Sequence, residues 1–122
     1  MSIRVLIADD HRLFAEALEV ILSGDDRIKV VGHASDGGEA VRLTGDLQPD
    51  VVLMDISMPV MDGIEAAETI RKTDGDASIL MLTGSNSRSD VDRARQAGAA
   101  GYVTKDRIAA ELIDAIVEIA AR

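Results

Sequence analysis

The chain has 122 residues with 22 acidic and 13 basic side chains, so its formal net charge is −9. This balance argues against direct binding of nucleic acid by this chain, which needs a basic surface. The absence of cysteine excludes a disulfide scaffold and a cysteine-based metal centre. With one tyrosine, one phenylalanine and no tryptophan, the chain is also poorly equipped to stack bases or a flavin.

The N-terminal residues lack the long apolar core and the small-residue cleavage site of a signal peptide. No stretch approaches the roughly 18 apolar residues that a bilayer-spanning helix needs. Hydrophobic residues make up 47% of the chain, which is too many for a disordered acidic tail. We therefore predict a single soluble domain, located in the cytoplasm and without membrane association.

Short apolar runs alternate with longer segments of helical periodicity. The apolar runs predict strands over residues 3–8, 28–34, 51–54, 79–82 and 101–104. The first helix is predicted from Leu13 to Ile21, with Gly24 as its C-cap. The second follows Asp36 as N-cap and is ended by Pro49. The later helices are predicted over residues 64–72, 91–97 and 108–121. An Asp62–Glu65 capping pair precedes the helix over 64–72, and Gly98 ends the helix over 91–97.

Five strand–helix units of this kind predict an α/β fold. Strands that are apolar without alternation are typical of a parallel sheet buried on both faces. Short connections and right-handed crossovers then favour a doubly wound, flavodoxin-like (βα)5 domain with helices on both faces. The common strand order for five strands is 2-1-3-4-5.

Polar residues stand where these apolar strands end. Asp9 and Asp10 follow the first strand, Asp55 the third, Thr83 the fourth and Lys105 the fifth. Since ligands bind beyond the carboxyl ends of parallel strands, at the point where the strand order reverses, we expect these side chains around one crevice.

Carboxylates that share a crevice repel one another. Two unit charges about 4 Å apart interact by roughly 4 kcal/mol at an effective dielectric constant of about 20. Lys105 can offset part of this repulsion, so either one acid is protonated or a cation binds. An all-oxygen ligand set with room for water suits Mg²⁺. Asp9 and Asp10 could instead only cap the first helix.

Asp55 could serve as a metal ligand, a general base or a nucleophile. A carboxylate beside Mg²⁺, with an ammonium and a hydroxyl opposite, is typical of a phosphoryl-acceptor site. Taken singly, Thr83 is an ordinary strand-terminal residue and Lys105 an ordinary surface lysine, so the hypothesis depends on their occurring together. His11 is interpreted as a structural or solvent-facing residue, and His33 has no partner at metal-ligand spacing in the sequence.

Four sequence motifs occur in order at these strand ends: VLIADDH over residues 5–11, DVVLMDISMP over 50–59 with MDG over 61–63, LT over 82–83, and GAAGYVTKD over 98–106. With them the chain resembles, over essentially its whole length, the receiver domain of a two-component response regulator. The DHRLF segment and the Gly-Tyr pair before the lysine resemble the NarL/FixJ (LuxR-type) subfamily.

The resemblance implies a role for each site residue. Asp55 would be the phosphoacceptor, and Asp10 and Asp55 would ligate Mg²⁺ directly. Asp9 would help through water, and the backbone carbonyl of Ser57 would complete the protein ligands.

On the phosphoryl side, the resemblance implies that Lys105 and Thr83 would bind the phosphoryl group. A shift of Thr83 would let Tyr102 turn inward, although a plain reading of Tyr102 is partial core filling with its hydroxyl in water.

The resemblance also implies partners that the chain itself lacks. Residues 1–122 would form the receiver domain, a sensor histidine kinase would donate the phosphoryl group, and a C-terminal helix-turn-helix domain, absent here, would bind DNA and regulate transcription. Such a chain would catalyse only its own phosphorylation and dephosphorylation. A homodimer through helices one and five, or through the fourth-helix and fifth-strand face, is a further candidate, but the apolar stripe of the last helix is better interpreted as facing the core.

Three alternatives remain on the sequence. The first is a small Mg²⁺-dependent phosphohydrolase with an aspartyl nucleophile, although Ser57 stands where such enzymes have a second acid. The second is a stand-alone receiver that acts by protein–protein contact. The third is a flavodoxin-like cofactor carrier, which would need a phosphate-binding loop and stacking aromatics that this sequence lacks.

Overall fold

A computed structural model of the chain describes residues 2–56, 58, 61–73, 77–84 and 88–121. The strands are β1 Ile3–Ala8, β2 Ile28–Ala34, β3 Val51–Asp55, β4 Ser78–Thr83 and β5 Gly101–Thr104. The helices are α1 Arg12–Ser23, α2 Gly37–Leu47, α3 Gly63–Thr73, α4 Arg88–Gln96 and α5 Ile108–Ala120, and a 3₁₀ turn over Lys105–Arg107 precedes α5. Each predicted element is present, and the ends differ from the predictions by at most a few residues.

The strands form one parallel sheet in the order β2-β1-β3-β4-β5, which confirms the predicted doubly wound topology. Alternate residues of the central strands face opposite sides of the sheet. Leu6 and Val52 belong to one buried cluster, and Val5 and Leu53 belong to the other. Both faces are therefore covered, which is why these strands are apolar without alternation.

The two faces are covered by different helices. Buried residues of α2, α3 and α4 complete the cluster around Leu6, and buried residues of α1 and α5 complete the cluster around Val5. Helices α1 and α5 therefore lie on the same face of the sheet. This arrangement matters for the site, since α1 begins and the chain enters α5 at the edge where the strands end.

Asp36 and Asp62 cap their helices as predicted from the sequence. The Asp36 side chain accepts a hydrogen bond from the Glu39 amide at 2.8 Å, and Asp62 accepts one from Glu65 at 2.9 Å. Gly24 is the C-cap of α1 as predicted, but its φ of −74° is right-handed and makes no demand for glycine. Gln48 ends α2 in the left-handed region, with φ 48°, one residue before Pro49.

The register of the sheet brings the strand ends to one edge. Ala8 of β1 pairs with Met54 of β3, so Asp9 and Asp55 follow at the same level. On the other side, Thr83 of β4 pairs with Thr104 of β5, directly before Lys105. In the part of the chain described here, no helix is both long enough and apolar enough to cross a membrane.

Candidate functional site

Backbone hydrogen bonds fix the acidic residues at the edge of the sheet. The Asp9 amide donates to the Ala34 carbonyl at 3.0 Å, which continues the β1–β2 pairing beyond the strand. The Ile56 amide donates to the Leu82 carbonyl at 3.2 Å, which holds Asp55 at the end of β3. Asp9 and Asp55 are buried by these neighbours, whereas Asp10 is exposed at the mouth of the crevice.

The acidic residues form a compact cluster. Asp9, Asp10, His11 and Asp55 each offer one ligand atom, and these atoms all lie within 4.8 Å of one another. The Oδ2 atom of Asp9 is buried and has no hydrogen-bond partner among the described residues. A buried carboxylate oxygen without a partner is costly, and a cation that binds there would satisfy it. The carboxylate donor set therefore fits Mg²⁺, which prefers oxygen ligands.

Lys105 brings a positive charge next to Asp55. Its Nζ is 3.4 Å from Asp55 Oδ2, and its side chain is 29% exposed. The same Nζ lies 4.6 Å from the centre of the Phe14 ring, on the first turn of α1. The ammonium is thus held between a carboxylate and an aromatic face, and it offsets part of the negative charge of the cluster.

Thr83 and Tyr102 lie on neighbouring strands and differ in exposure. Thr83 is buried at the end of β4: its neighbour Leu82 pairs with Asp55, and Thr83 itself pairs with Thr104, directly before Lys105. Tyr102 of β5 is 41% exposed, so its ring faces outward. A cleft of about 150 Å³ lies beside Tyr102, where Val91 and Ala94 of α4 face β5. The structure thus places Thr83 at the edge with the acids and leaves Tyr102 outside it.

The backbone packs closely behind Asp55. The Gly63 amide donates to the Ile56 carbonyl at 2.8 Å, which draws the start of α3 against the end of β3. A Cβ atom at Gly63 would overlap the carbonyl oxygen of Asp55. The prediction for Ser57 concerns a residue that lies outside the described ranges.

Two residues at this edge were not singled out from the sequence as site residues. His11 directly follows Asp9 and Asp10, and this adjacency was an available signal. Its Nδ1 is 3.4 Å from Asp9 Oδ1 and 3.3 Å from Asp10 Oδ1. Phe14 gave no signal, because its contact with Lys105 joins residues 91 positions apart in the sequence. His33, which has no partner at metal-ligand spacing in the sequence, lies with its Nε2 3.4 Å from Glu19 Oε2.

Comparison with known proteins defines the class. The family model of the response regulator receiver domain matches residues 5–117, and the chain belongs to this family. It is 45% identical over 114 residues to the transcriptional regulatory protein LiaR of Bacillus subtilis, covering 93% of this chain and 54% of LiaR. The resemblance to receiver domains of the LuxR type is thereby confirmed.

Solved structures agree with this family. A LuxR-family two-component response regulator from Aurantimonas has a TM-score of 0.94 at 40% identity, with coverage of 99% of this chain and 86% of that one. CheY of Borrelia burgdorferi, solved with CheX, BeF₃ and Mg²⁺, has a TM-score of 0.88 at 27% identity, with coverage of 95% and 87%. The chain spans about half of the length of the curated relatives it matches, as the 54% coverage of LiaR illustrates.

Proposed function

We propose that this chain is a phosphorylation-dependent switch in which Asp55 accepts a phosphoryl group from a sensor histidine kinase in the presence of Mg²⁺. The observation that carries the proposal is the position of Asp55. Its buried carboxylate lies within 4.8 Å of the other ligand atoms of the acidic cluster and 3.4 Å from the Lys105 ammonium. Membership of the receiver family supports the same conclusion.

Asp10 and Asp55 would ligate the metal ion directly, Asp9 would act through water, and the Ser57 carbonyl would complete the protein ligands. When bound, the ion supplies positive charge that lowers the repulsion between the carboxylates and an incoming phosphoryl group. The buried Asp9 Oδ2, which has no hydrogen-bond partner in the described part of the chain, supports a cation at this edge. The presence of Mg²⁺ in the complex of the related CheY supports the choice of ion.

In the transfer itself, one oxygen of Asp55 would attack the phosphorus. The new O–P bond forms as the P–N bond to the kinase histidine breaks, and the released imidazole takes up a proton. Lys105 would then leave the Asp55 carboxylate for a phosphoryl oxygen, to which the Thr83 hydroxyl would also donate. Asp55 and Thr83 end strands at this edge of the sheet and Lys105 directly follows another, which supports these roles.

The response to phosphorylation would travel along β4 and β5. A shift of Thr83 toward the phosphoryl group would vacate space beneath the last residues of β5, and Tyr102 would turn inward from its exposed position. The cleft of about 150 Å³ between α4 and β5 supports this path, since it adjoins the Tyr102 ring.

The output lies outside this chain in our proposal. The relatives extend to about twice this length, and LiaR is a transcriptional regulatory protein, which supports a C-terminal helix-turn-helix domain that binds DNA. We place the protein in the cytoplasm and assign it no reaction beyond its own phosphorylation and dephosphorylation. Exposed Leu13 and Val20 on α1 support a homodimer through α1 and α5, with the α4–β5 face as the other candidate surface.

The test is phosphorylation of the purified chain by acetyl phosphate, followed by intact mass. With Mg²⁺ we expect a single phosphoryl adduct, which disappears in Asp55→Asn or after chelation of the metal. Rapid turnover of acetyl phosphate without an adduct would favour the phosphohydrolase. An absence of both adduct and turnover in the wild-type chain would contradict the proposal.

A further inference from the structure

His11 begins helix α1 and also places a ring nitrogen beside two carboxylates of the acidic cluster. It is the N-cap of α1, and its backbone amide donates to Asp9 Oδ1 at 2.8 Å. Within the described residues, its side chain makes no capping hydrogen bond to the helix. The ring is 68% exposed, yet its Nδ1 faces the acidic cluster rather than open solvent, at 3.3 Å from Asp10 and 3.4 Å from Asp9.

These separations suit metal coordination. An ion with ligand bonds of about 2.0–2.1 Å in tetrahedral geometry holds its ligand atoms roughly 3.4 Å apart. The two distances from His11 Nδ1, 3.3 Å and 3.4 Å, lie at this value. The ring nitrogen can therefore share an ion with the carboxylates without a change of backbone.

The chemistry of the donor set then bears on which ions it selects. Mg²⁺ takes oxygen ligands and retains water, and it gains little from an imidazole. Zn²⁺ and Ni²⁺ bind imidazole nitrogen well and also accept carboxylates. The buried Asp9 Oδ2, which has no hydrogen-bond partner among the described residues, would be satisfied by either kind of cation at this edge.

We propose that His11 is a nitrogen ligand of this site, which therefore also binds a borderline divalent ion such as Zn²⁺ or Ni²⁺ through His11 Nδ1 and the neighbouring carboxylates. The inference uses the same carboxylates as the proposed function and rests on it to that extent. In this mixed site His11 discriminates between ions, because its removal costs affinity for a nitrogen-binding ion and not for Mg²⁺.

The experiment compares Zn²⁺ and Mg²⁺ binding by isothermal titration calorimetry in the full 122-residue chain, His11→Asn and His33→Asn. His33 is the matched control, since it is also exposed and also faces a carboxylate, Glu19, at 3.4 Å. We expect His11→Asn to lower Zn²⁺ affinity about tenfold or more, because loss of even an outer-shell partner of a metal ligand lowers metal affinity by about 10–100-fold. Its Mg²⁺ affinity should change less than about twofold, and His33→Asn should match the wild type.

Ring-nitrogen NMR provides a second readout that does not depend on phosphorylation. Zn²⁺ should shift the Nδ1 resonance of His11 and leave that of His33 in place. Equal losses for both ions, an equal effect of His33→Asn, or an unshifted His11 nitrogen would each overturn the inference. Failure of the wild-type chain to bind Mg²⁺ or to form the phosphoryl adduct would instead count against the proposed function.

Discussion

The Lys105 ammonium lies 4.6 Å above the centre of the Phe14 ring while it also lies 3.4 Å from Asp55 Oδ2. The 3₁₀ turn that begins at Lys105 and the first turn of α1 meet at this contact. A long lysine side chain has many rotamers, and holding it in one of them costs conformational entropy. The aromatic face offsets part of this cost and thereby keeps the ammonium beside the carboxylate.

Replacement of Phe14 by leucine should slow phosphorylation of Asp55. Leucine keeps an apolar side chain in the α1–α5 cluster but removes the cation–π contact, which is worth about 0.5–2 kcal/mol. We expect the rate of adduct formation with acetyl phosphate to fall about threefold or more. Phe14→Tyr keeps the aromatic face and should react at close to the wild-type rate. A leucine variant as fast as the wild type would show that the ring does not position Lys105.

Removal of Lys105 should separate metal binding from signalling. Lys105→Ala leaves Asp9, Asp10 and Asp55 in place, so Mg²⁺ should still bind. On phosphorylation, we expect amide shifts around Tyr102 in NMR spectra of the wild type. The variant should lack these shifts, because it has no ammonium to move from Asp55 to the phosphoryl oxygen. Lys72→Ala, on the exposed last turn of α3, is the control. An unchanged shift pattern in the phosphorylated Lys105→Ala protein would refute this role.

Neutralisation of Asp10 should stabilise the metal-free protein. The ligand atoms of the acidic cluster lie within 4.8 Å of one another, so loss of one charge relieves repulsion. In chelator we expect Asp10→Asn to raise the free energy of unfolding by about 1 kcal/mol, measured by urea denaturation. Excess Mg²⁺ should stabilise the wild type more than the variant. The gain in stability depends on the affinity of the folded protein for the ion, and Asp10→Asn removes one of the proposed ligands.

The matched control for this measurement is Asp26→Asn, an exposed acid in the turn between α1 and β2. It removes the same charge from the chain at a distance from the site. If Asp26→Asn raises the stability as much as Asp10→Asn does, the gain reflects the net charge of −9 and not the cluster.

Two glycine-to-alanine changes should have opposite effects. At Gly63 a methyl group would overlap the Asp55 carbonyl, so Gly63→Ala should destabilise the fold by about 2 kcal/mol or more and displace the phosphoacceptor. At Gly45, inside α2, an added Cβ would meet no described atom within 4 Å apart from its chain neighbours and the backbone of its own helix. Gly45→Ala should therefore stabilise the protein by about 0.5–1 kcal/mol. Thermal unfolding measures both changes, and a Gly63 variant as stable as the wild type would contradict the packing argument.

Local patterns in the sequence were sufficient for the elements, and the strand order followed from the common arrangement of five such units. Unbroken apolar runs such as 51–54 can be satisfied only with both faces covered, and Asp36 and Asp62 begin helices through contacts three residues away. Because parallel strands end at a common edge, the sequence also determined that Asp9, Asp10, Asp55, Thr83 and Lys105 would gather there.

Only the tertiary structure decided which side chains at that edge contact one another. Lys105 contacts both Asp55 and Phe14, His11 directs Nδ1 toward two carboxylates, and Tyr102 faces outward beside an open cleft. Each of these outcomes depends on a rotamer chosen by packing against residues distant in the chain, for which sequence periodicity carries no information. The strand ends define where the site is, and the packing of α1 and α5 on one face of the sheet defines which groups reach it.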